Sequence, residues 1–470
     1  MGETENDMTA RVAQGLRVLD LVGSRPDPTT PVAVGAIARE LAVPLSSASR
    51  LCAEMAGLDL LAPGEGYGTY RLGRAAIRLS GRAASPSARA VRYALTRIGQ
   101  ETGETAFLAS ASSEGVRVVG VVESPWTLHA PAELGERAAG RGAIVRAAER
   151  EAPAGAAPTI ETTTGKVVEV AAPVLAPSGA RVAVVAVRLP VSRAKRGARQ
   201  AAAAVTAGRR IIEKALAAAP VRETPVPAST PSEAPSALGA ALSILFHLAD
   251  GADALVGIAR AVGLRVDRTR RLLESCVRSG LVVEEPDGGY GIAWSVHGWY
   301  RAAAPRTLVE QGTPLVADAA SETGACAFLT ILKGMRSFTL VEELAVLGEG
   351  LRMREWLGRP HPIVGSDGGP TLVMDLRPEE LAEIFPARHT PRELDGFLER
   401  VARVVRDGVL SIGSIEEVGI TSVSAPVRDA SGTVAAAACI VGATESVTPR
   451  LPEFERAARE LAARVSALLV

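Results

Sequence analysis

The sequence contains no Cys-x-x-Cys pair, and its five histidines do not stand at ligand spacing beside its four cysteines. Cys52, Cys276, Cys326 and Cys439 are widely scattered, which argues against a structural zinc site and for four reduced thiols in a reducing compartment. No segment is apolar for long enough to span a bilayer, and the opening Met1-Gly-Glu-Thr-Glu-Asn-Asp7 is too acidic and polar for a secretory signal, so no membrane partner and a cytoplasmic location are expected. There is no Gly-x-Ser-x-Gly elbow, no phosphate-binding Gly-rich loop with Lys and no His-Glu-x-x-His, which excludes the common hydrolase, nucleotide and metalloprotease plans. Glu416-Glu417 is read as part of a strand, where neighbours point to opposite faces and share no acid–base work; it is expected to be a solvated edge. Neither an enzyme nor a cofactor is expected. Net charge is also missing: 52 basic residues balance 52 acidic ones, so any charge that binds nucleic acid must be local.

What is present is length and repetition. At 470 residues the chain exceeds one ordinary domain. Near its middle, 219–235 is rich in Pro, Ala, Ser and Thr and reads as an extended linker, with a boundary at 219–236. The flanking halves resemble each other. Ile37-Ala-Arg39 recurs as Ile258-Ala-Arg260, and Glu101-Thr-Gly-Glu-Thr-Ala-Phe-Leu108 as Glu322-Thr-Gly-Ala-Cys-Ala-Phe-Leu329, both 221 positions on. Ala172-Pro-Val174 and Gly179 return as Ala425-Pro-Val427 and Gly432, 253 positions on. A spacing that holds, shifts once and holds again points to two tandem copies, the second carrying an insertion of about 32 residues.

Each copy opens with three helical patterns and a hairpin. In the first these are Gly15–Leu21, Val34–Leu41 and Ala48–Leu58, then an alternating stretch over Leu60–Leu72 around a Gly-rich turn; Pro44 closes the second helix and Ser46 or Ser47 is expected to cap the third. In the second they are Leu242–Leu248, Leu255–Val262 and Arg268–Val277, with Asp267 as the expected N-cap, then a hairpin over Leu281–Ile292. Helix, helix, turn, helix, hairpin is the winged helix-turn-helix order, in which the third helix enters the major groove and the wing touches backbone. The first copy offers Ser46, Ser47, Ser49 and Arg50 there, with Arg71 on its wing; the second offers Arg265, Arg268, Arg270 and Arg271. Serine bonds phosphate or base edges and arginine grips guanine in a bidentate fashion, so double-stranded operator DNA is the expected partner.

These units, with Tyr70-Arg-Leu-Gly73, Val122-Glu-Ser-Pro125, Val405-Arg-Asp-Gly408 and Gly419–Val427, resemble the IclR family of bacterial transcription regulators over nearly the whole chain. The resemblance implies an α+β fold class: a tandem duplication of winged helix-turn-helix plus GAF-like α+β sensing domain, over 8–75 and 76–218, then 237–296 and 297–470. It implies a small-molecule effector, such as a carboxylate or aromatic metabolite, that alters operator binding. A long helix including Ala88–Glu101 or Leu308–Ala320 would join the domains of each copy. Family members carry one copy and work as dimers or tetramers; here the fusion offers an internal pseudo-dimer, with a homodimer of the whole chain as a further option.

By the same resemblance the second pocket falls on the loop Ser366-Asp367-Gly368 and on the strand positions Ser422 and Cys439, where glycine lets backbone N–H groups face an anion. The first-half counterparts are Glu169, Ala186 and, two further on, Arg188. An arginine in the apolar run Val182–Arg188 needs a partner or solvent. Three roles stay open: pairing with Glu169 to fill a degenerate pocket, gripping a ligand carboxylate, or reaching solvent at the strand end, the last being preferred. The alternative to a regulator is a metabolite-binding or protein-interaction scaffold that has lost specific DNA binding.

Overall fold

The computed structural model describes residues 2–112, 115–138, 140–149, 159–218, 236–345, 353–385, 389–415 and 417–470; the expected linker stretch 219–235 lies outside them. The chain divides into two units, Met1–Ile98 with Glu104–Ala303, and Gly99–Gly103 with Ala304–Val470.

The first unit begins with α1 (Gly2–Gly23), the short strand β1 (Val32–Ala33), α2 (Val34–Glu40) and α3 (Leu45–Gly57), followed by β2 (Leu61–Pro63) and β3 (Thr69–Leu72), which pair antiparallel. Helix α3 buries Ala48, Leu51, Cys52 and Met55, a helical stripe. It starts three residues before the expected point. Pro44 is its N-cap and no side chain caps it, so neither Ser46 nor Ser47 does the capping expected of them. Proline suits that place because its fixed φ begins a helix and its missing N–H is not needed there.

The chain continues through α4 (Arg74–Thr102), β4 (Thr105–Ser112), β5 (Gly115–Val122), α5 (Ala143–Glu149), β6 (Ile160–Thr164), β7 (Val167–Leu175), β8 (Arg181–Pro190) and α6 (Val191–Ala217). The strands form one antiparallel sheet in the order β5-β4-β8-β7-β6. One face packs on α4 and α6 through residues such as Leu95, Ile98, Val185 and Ile212. The other is covered by α5, whose Ile144 and Ala147 join Phe107, Val118 and Val184.

Three helices follow: α7 (Ala237–Ala249), α8 (Leu255–Ala261) and α9 (Val266–Ser279), with the hairpin β9 (Val282–Glu284) and β10 (Tyr290–Ile292). Arg265 is the N-cap of α9, and Asp267 lies in its first turn rather than capping it, where its charge still suits the positive end of the helix dipole. Helix α1 packs against α3, α7 and α9, so both three-helix groups share it. Arg11 of α1 pairs with Glu54 of α3 at 2.8 Å, and the Ser275 hydroxyl of α9 donates to the Thr9 carbonyl at 3.2 Å.

The turns leading into and out of these third helices have the same backbone in both groups. Ala42 (φ 52°) and Gly263 (φ 68°) are left-handed between α2 and α3 and between α8 and α9; Asp59 (φ 57°) and Gly280 (φ 81°) are left-handed after α3 and α9. Each pair is 221 positions apart. Left-handed backbone costs a residue with Cβ about 1–2 kcal/mol, while glycine adds roughly 0.5–1 kcal/mol of chain entropy. Ala42→Gly is therefore expected to stabilise the protein by about 0.5 kcal/mol, read as a small rise in the thermal unfolding midpoint; a fall would mean that the Ala42 methyl makes a needed contact.

The second unit holds most of α10 (Trp299–Thr323), then β11 (Cys326–Lys333), β12 (Arg336–Glu343), β13 (Pro360–Pro362), α11 (Gly369–Leu372), α12 (Pro378–Ile384), α13 (Pro391–Asp407), β14 (Leu410–Gly413), β15 (Ile420–Arg428), β16 (Val434–Ala443), α14 (Thr444–Val447) and α15 (Leu451–Leu468). Its sheet runs β13-β12-β11-β16-β15-β14, which is the first sheet's order with one edge strand added. The prolines of β13 are tolerated because an edge strand need not donate on both sides. A capping box fixes the start of α13: Thr390 Oγ1 accepts from Glu393 N at 3.3 Å, and Thr390 N donates to the Glu393 carboxylate at 2.7 Å. One face of the sheet carries the core with α10 and α15, including Val316, Ile440, Phe454 and Leu461. On the opposite face Cys326, Phe328, Leu372, Ala437 and Cys439 form a small apolar cluster with a few partly buried neighbours.

Candidate DNA-facing helices and ligand cavity

The polar faces of the two third helices point outward. On α3, Ser46, Ser49 and Arg50 are exposed and Ser47 is half-buried; Arg71 lies half-buried on β3 beside Ala62. On α9, Arg265, Arg270 and Arg271 are exposed and Arg268 is half-buried, while Leu272, Leu273 and Cys276 turn inward. Arg271 also donates Nε–H to the Asp267 carbonyl one turn back, at 3.3 Å. The faces differ in chemistry. That of α3 is small and mostly uncharged, whereas that of α9 adds Arg278 and two acids, Asp267 and Glu274.

On the face of the second sheet opposite α10 and α15 lies a cavity of about 130 Å³. A dry cavity of roughly 150 Å³ holds one benzene ring, so this volume suits a small metabolite and is below that of a drug-sized site. Ser366, Asp367, Gly368, Ser422 and Cys439 all line it. A Cβ at Gly368 would crowd Cys439 Sγ at 3.0 Å and Thr330 Oγ1 at 3.3 Å. Asp367 accepts from the Ile415 amide at 3.1 Å and so ties the 366–368 loop to the loop before β15. Burial pushes the Cys439 thiol up to about 12, which keeps it neutral.

Sequence reasoning missed most of the wall. Phe328, Met353 and Trp356 supply its apolar part, Thr330, Ser337 and Thr339 line β11 and β12, and Arg359 and His361 bring positive or titratable groups. Trp356 is held by its backbone N–H, which donates to the Glu342 carboxylate at 2.8 Å, and by edge contact with His361, with ring centroids 5.6 Å apart. The alternation of Ser337 and Thr339 on one strand face was the available signal. Glu417 also lines the cavity and is exposed, but on a loop and not on a strand, which corrects its expected place at a sheet edge; Glu416 lies outside the described residues.

Glu169 and Arg188 sit apart from this cavity, on the first sheet. Arg188 is not a solvent-reaching strand end: its side chain is only 12% exposed and pairs with Glu169 at 2.8 Å and Glu136 at 2.7 Å. Among the described residues no group of three or more His, Cys, Asp or Glu side chains is placed to hold a metal ion, and no helix is long and apolar enough to cross a membrane.

Residues 301–467 match the family described as bacterial transcriptional regulator IclR C-terminal. No curated protein matches the chain. Among solved structures the chain is similar to a protein described as an IclR-family transcriptional regulator from Rhodococcus sp., at 23% identity and a TM-score of 0.39, covering 52% of this chain and 98% of that one. It is similar to HmgR of Pseudomonas aeruginosa at 22% identity and a TM-score of 0.34, covering 48% and 96%. It is also similar to an IclR homolog complexed with 4-hydroxybenzoate from Microbacterium hydrocarbonoxydans, at 20% identity and a TM-score of 0.31, covering 50% and 99%.

Proposed function

We propose that the chain is a DNA-binding transcription regulator of the IclR type, built as two tandem copies of a winged helix-turn-helix and a GAF-like sensing sheet, and responsive to one small molecule. The domains would be 8–75, 76–218, 237–296 and 297–470. The observation that carries the reading is the pair of third helices, α3 and α9, which bury their apolar faces around a shared helix and leave Ser46, Ser49, Arg50, Arg270 and Arg271 exposed. An exposed helix after a tight turn, followed by a hairpin, is what a major groove accepts.

Three further features support duplication. The left-handed turn positions recur 221 residues apart. The strand order recurs, and with it the register: Phe107 faces Ala186 as Phe328 faces Cys439, and Glu169 faces Arg188 as Ser422 faces Val441. Register shifts also fall at Leu108/Ala109 and Leu329/Thr330, which match by the same spacing.

The effector site is the cavity on the second sheet. Its size, its aromatic wall and its mixed charges fit a one-ring or similarly small organic molecule bearing polar groups. The match of 301–467 to the IclR C-terminal family supports a sensing role for this unit. The small, weakly charged face of α3 favours a second reading, a scaffold that has lost specific DNA binding.

Retention of duplex from a random-sequence pool by the full chain against excess unrelated bulk duplex, followed as salt is raised, separates the two. The regulator reading expects retention that falls steeply with salt, as counterion release requires. Absence of retention even at low salt would leave only the scaffold.

A further inference from the structure

On the second sheet, Ser422, Cys439 and Val441 line an open cavity, with Phe328 beside them. The same cross-strand partnerships place Glu169, Ala186, Arg188 and Phe107 at the matching positions of the first sheet. There the space is filled by the protein's own side chains. Arg188 Nε donates to Glu169 at 2.8 Å, and its Nη1 donates to Glu136 at 2.7 Å and to the Pro131 carbonyl at 2.9 Å. The guanidinium carbon lies 5.0 Å from the centre of the Phe107 ring. The Arg188 and Glu169 side chains are 12% and 13% exposed. Burial acts against the arginine's charge, yet hydrogen bonds to Glu169 and Glu136, with their negative charges, raise its pKa above the ordinary value. Two carboxylates, a carbonyl and an aromatic face are the groups that would receive a small organic cation. Here that cation is attached to the chain.

We propose that the first sheet carries its own ligand, the Arg188 guanidinium clamped between Glu136 and Glu169 against Phe107, and that the chain therefore takes an external small molecule on its second sheet alone. The first part stands on the geometry of the first sheet. The second part rests on reading the second sheet's cavity as the effector site. Sensing in this chain is then asymmetric: one copy is held permanently in a filled state while the other fills and empties.

The test is chemical rescue in the full chain. Arg188→Ala removes the tethered cation and leaves two carboxylates facing a space shaped for it. Its unfolding midpoint is expected to fall by several degrees, to recover in part with millimolar N-ethylguanidinium, and not to recover with ethylammonium or sodium chloride at equal concentration. Wild type should respond to none of them. A variant that melts like wild type, or one that both organic cations restore equally, overturns the proposal. If Arg188→Ala does not fold, the apolar triple Glu136→Leu, Glu169→Leu, Arg188→Met replaces it, because a plug must fill space and an ion triad that is largely buried at Arg188 and Glu169 and half-buried at Glu136 is replaceable by apolar side chains of similar volume. That triple is expected to fold with the circular dichroism of wild type and to melt within a few degrees of it; failure to fold overturns the proposal. Either failure would leave the DNA-binding reading and the second cavity untouched, since both depend on other residues.

Discussion

Replacing Arg270 and Arg271 together by alanine is expected to weaken binding to a selected duplex by about 100-fold or more, taking roughly 1–3 kcal/mol for each arginine that grips a base edge. Both side chains are exposed on α9, so the fold should be almost unaffected, with stability changed by no more than about 0.5 kcal/mol. The chemistry of the contact can be read from the same titrations. If the arginines meet phosphates, affinity falls uniformly across sequences and the salt slope drops by about one unit per contact. If they meet bases, the slope changes less and discrimination at one or two positions is lost. Ser46→Ala with Ser49→Ala on α3 should cost less, since a hydroxyl brings no charge to the groove. Equal affinity of the Arg270, Arg271 variant and wild type, with both folded, would remove α9 from the contact surface.

Gly369→Ala carries the second large effect. A Cβ at this position would stand 2.1 Å from the Ile363 carbonyl oxygen and 3.0 Å from Ile363 Cγ1. The obstacle is backbone, which cannot swing aside as a side chain would, so one element must shift. Overpacking of this kind costs typically about 1–3 kcal/mol, and the upper part of that range is expected here. The displaced segment is the rim of the cavity, because Gly369 N–H donates to the Ser366 carbonyl at 2.9 Å and Ser366, Asp367 and Gly368 line the space. The variant should therefore lose thermal stability and also any small-molecule response, while its affinity for DNA without effector stays close to wild type. Gly413→Ala is the control: a Cβ there meets nothing within 4 Å, although the next residue, Ser414, lines the same cavity. A Gly369→Ala protein as stable as wild type would mean that the rim yields more readily than the backbone contact implies.

Much of this architecture was legible in the sequence because apolar periodicity and one repeated spacing carry it. Helices α2, α3, α8 and α9 and both hairpins fall close to where the patterns put them. The ends were harder to read. Ser46, Ser47 and Asp267 are good cap formers by type, but Pro44 and Arg265 occupy the N-cap positions. Position in the turn decides which residue caps, and that turn is set by a left-handed residue which before α3 is an alanine, Ala42, with no sequence signal for such a backbone.

The cavity was legible where it lies on repeated strands and obscure where it does not. Ser422 and Cys439 follow from the family resemblance, whereas nothing in the sequence pointed to Trp356, Arg359 and His361. For Arg188, the cross-strand partner Glu169 was visible as a possibility. Glu136 was not, because it lies on a loop 52 residues away and meets the arginine only through the fold.

The central claim is that one chain reads DNA with two unlike helices. Selection of binding sites from a random-sequence duplex library, using the full chain, tests it most directly. Enrichment of a motif with two half-sites of different sequence, the one lost in the Arg270, Arg271 variant being read by α9, is the predicted result. No enrichment over the starting library, or a perfectly palindromic motif that the variant still selects, would contradict it.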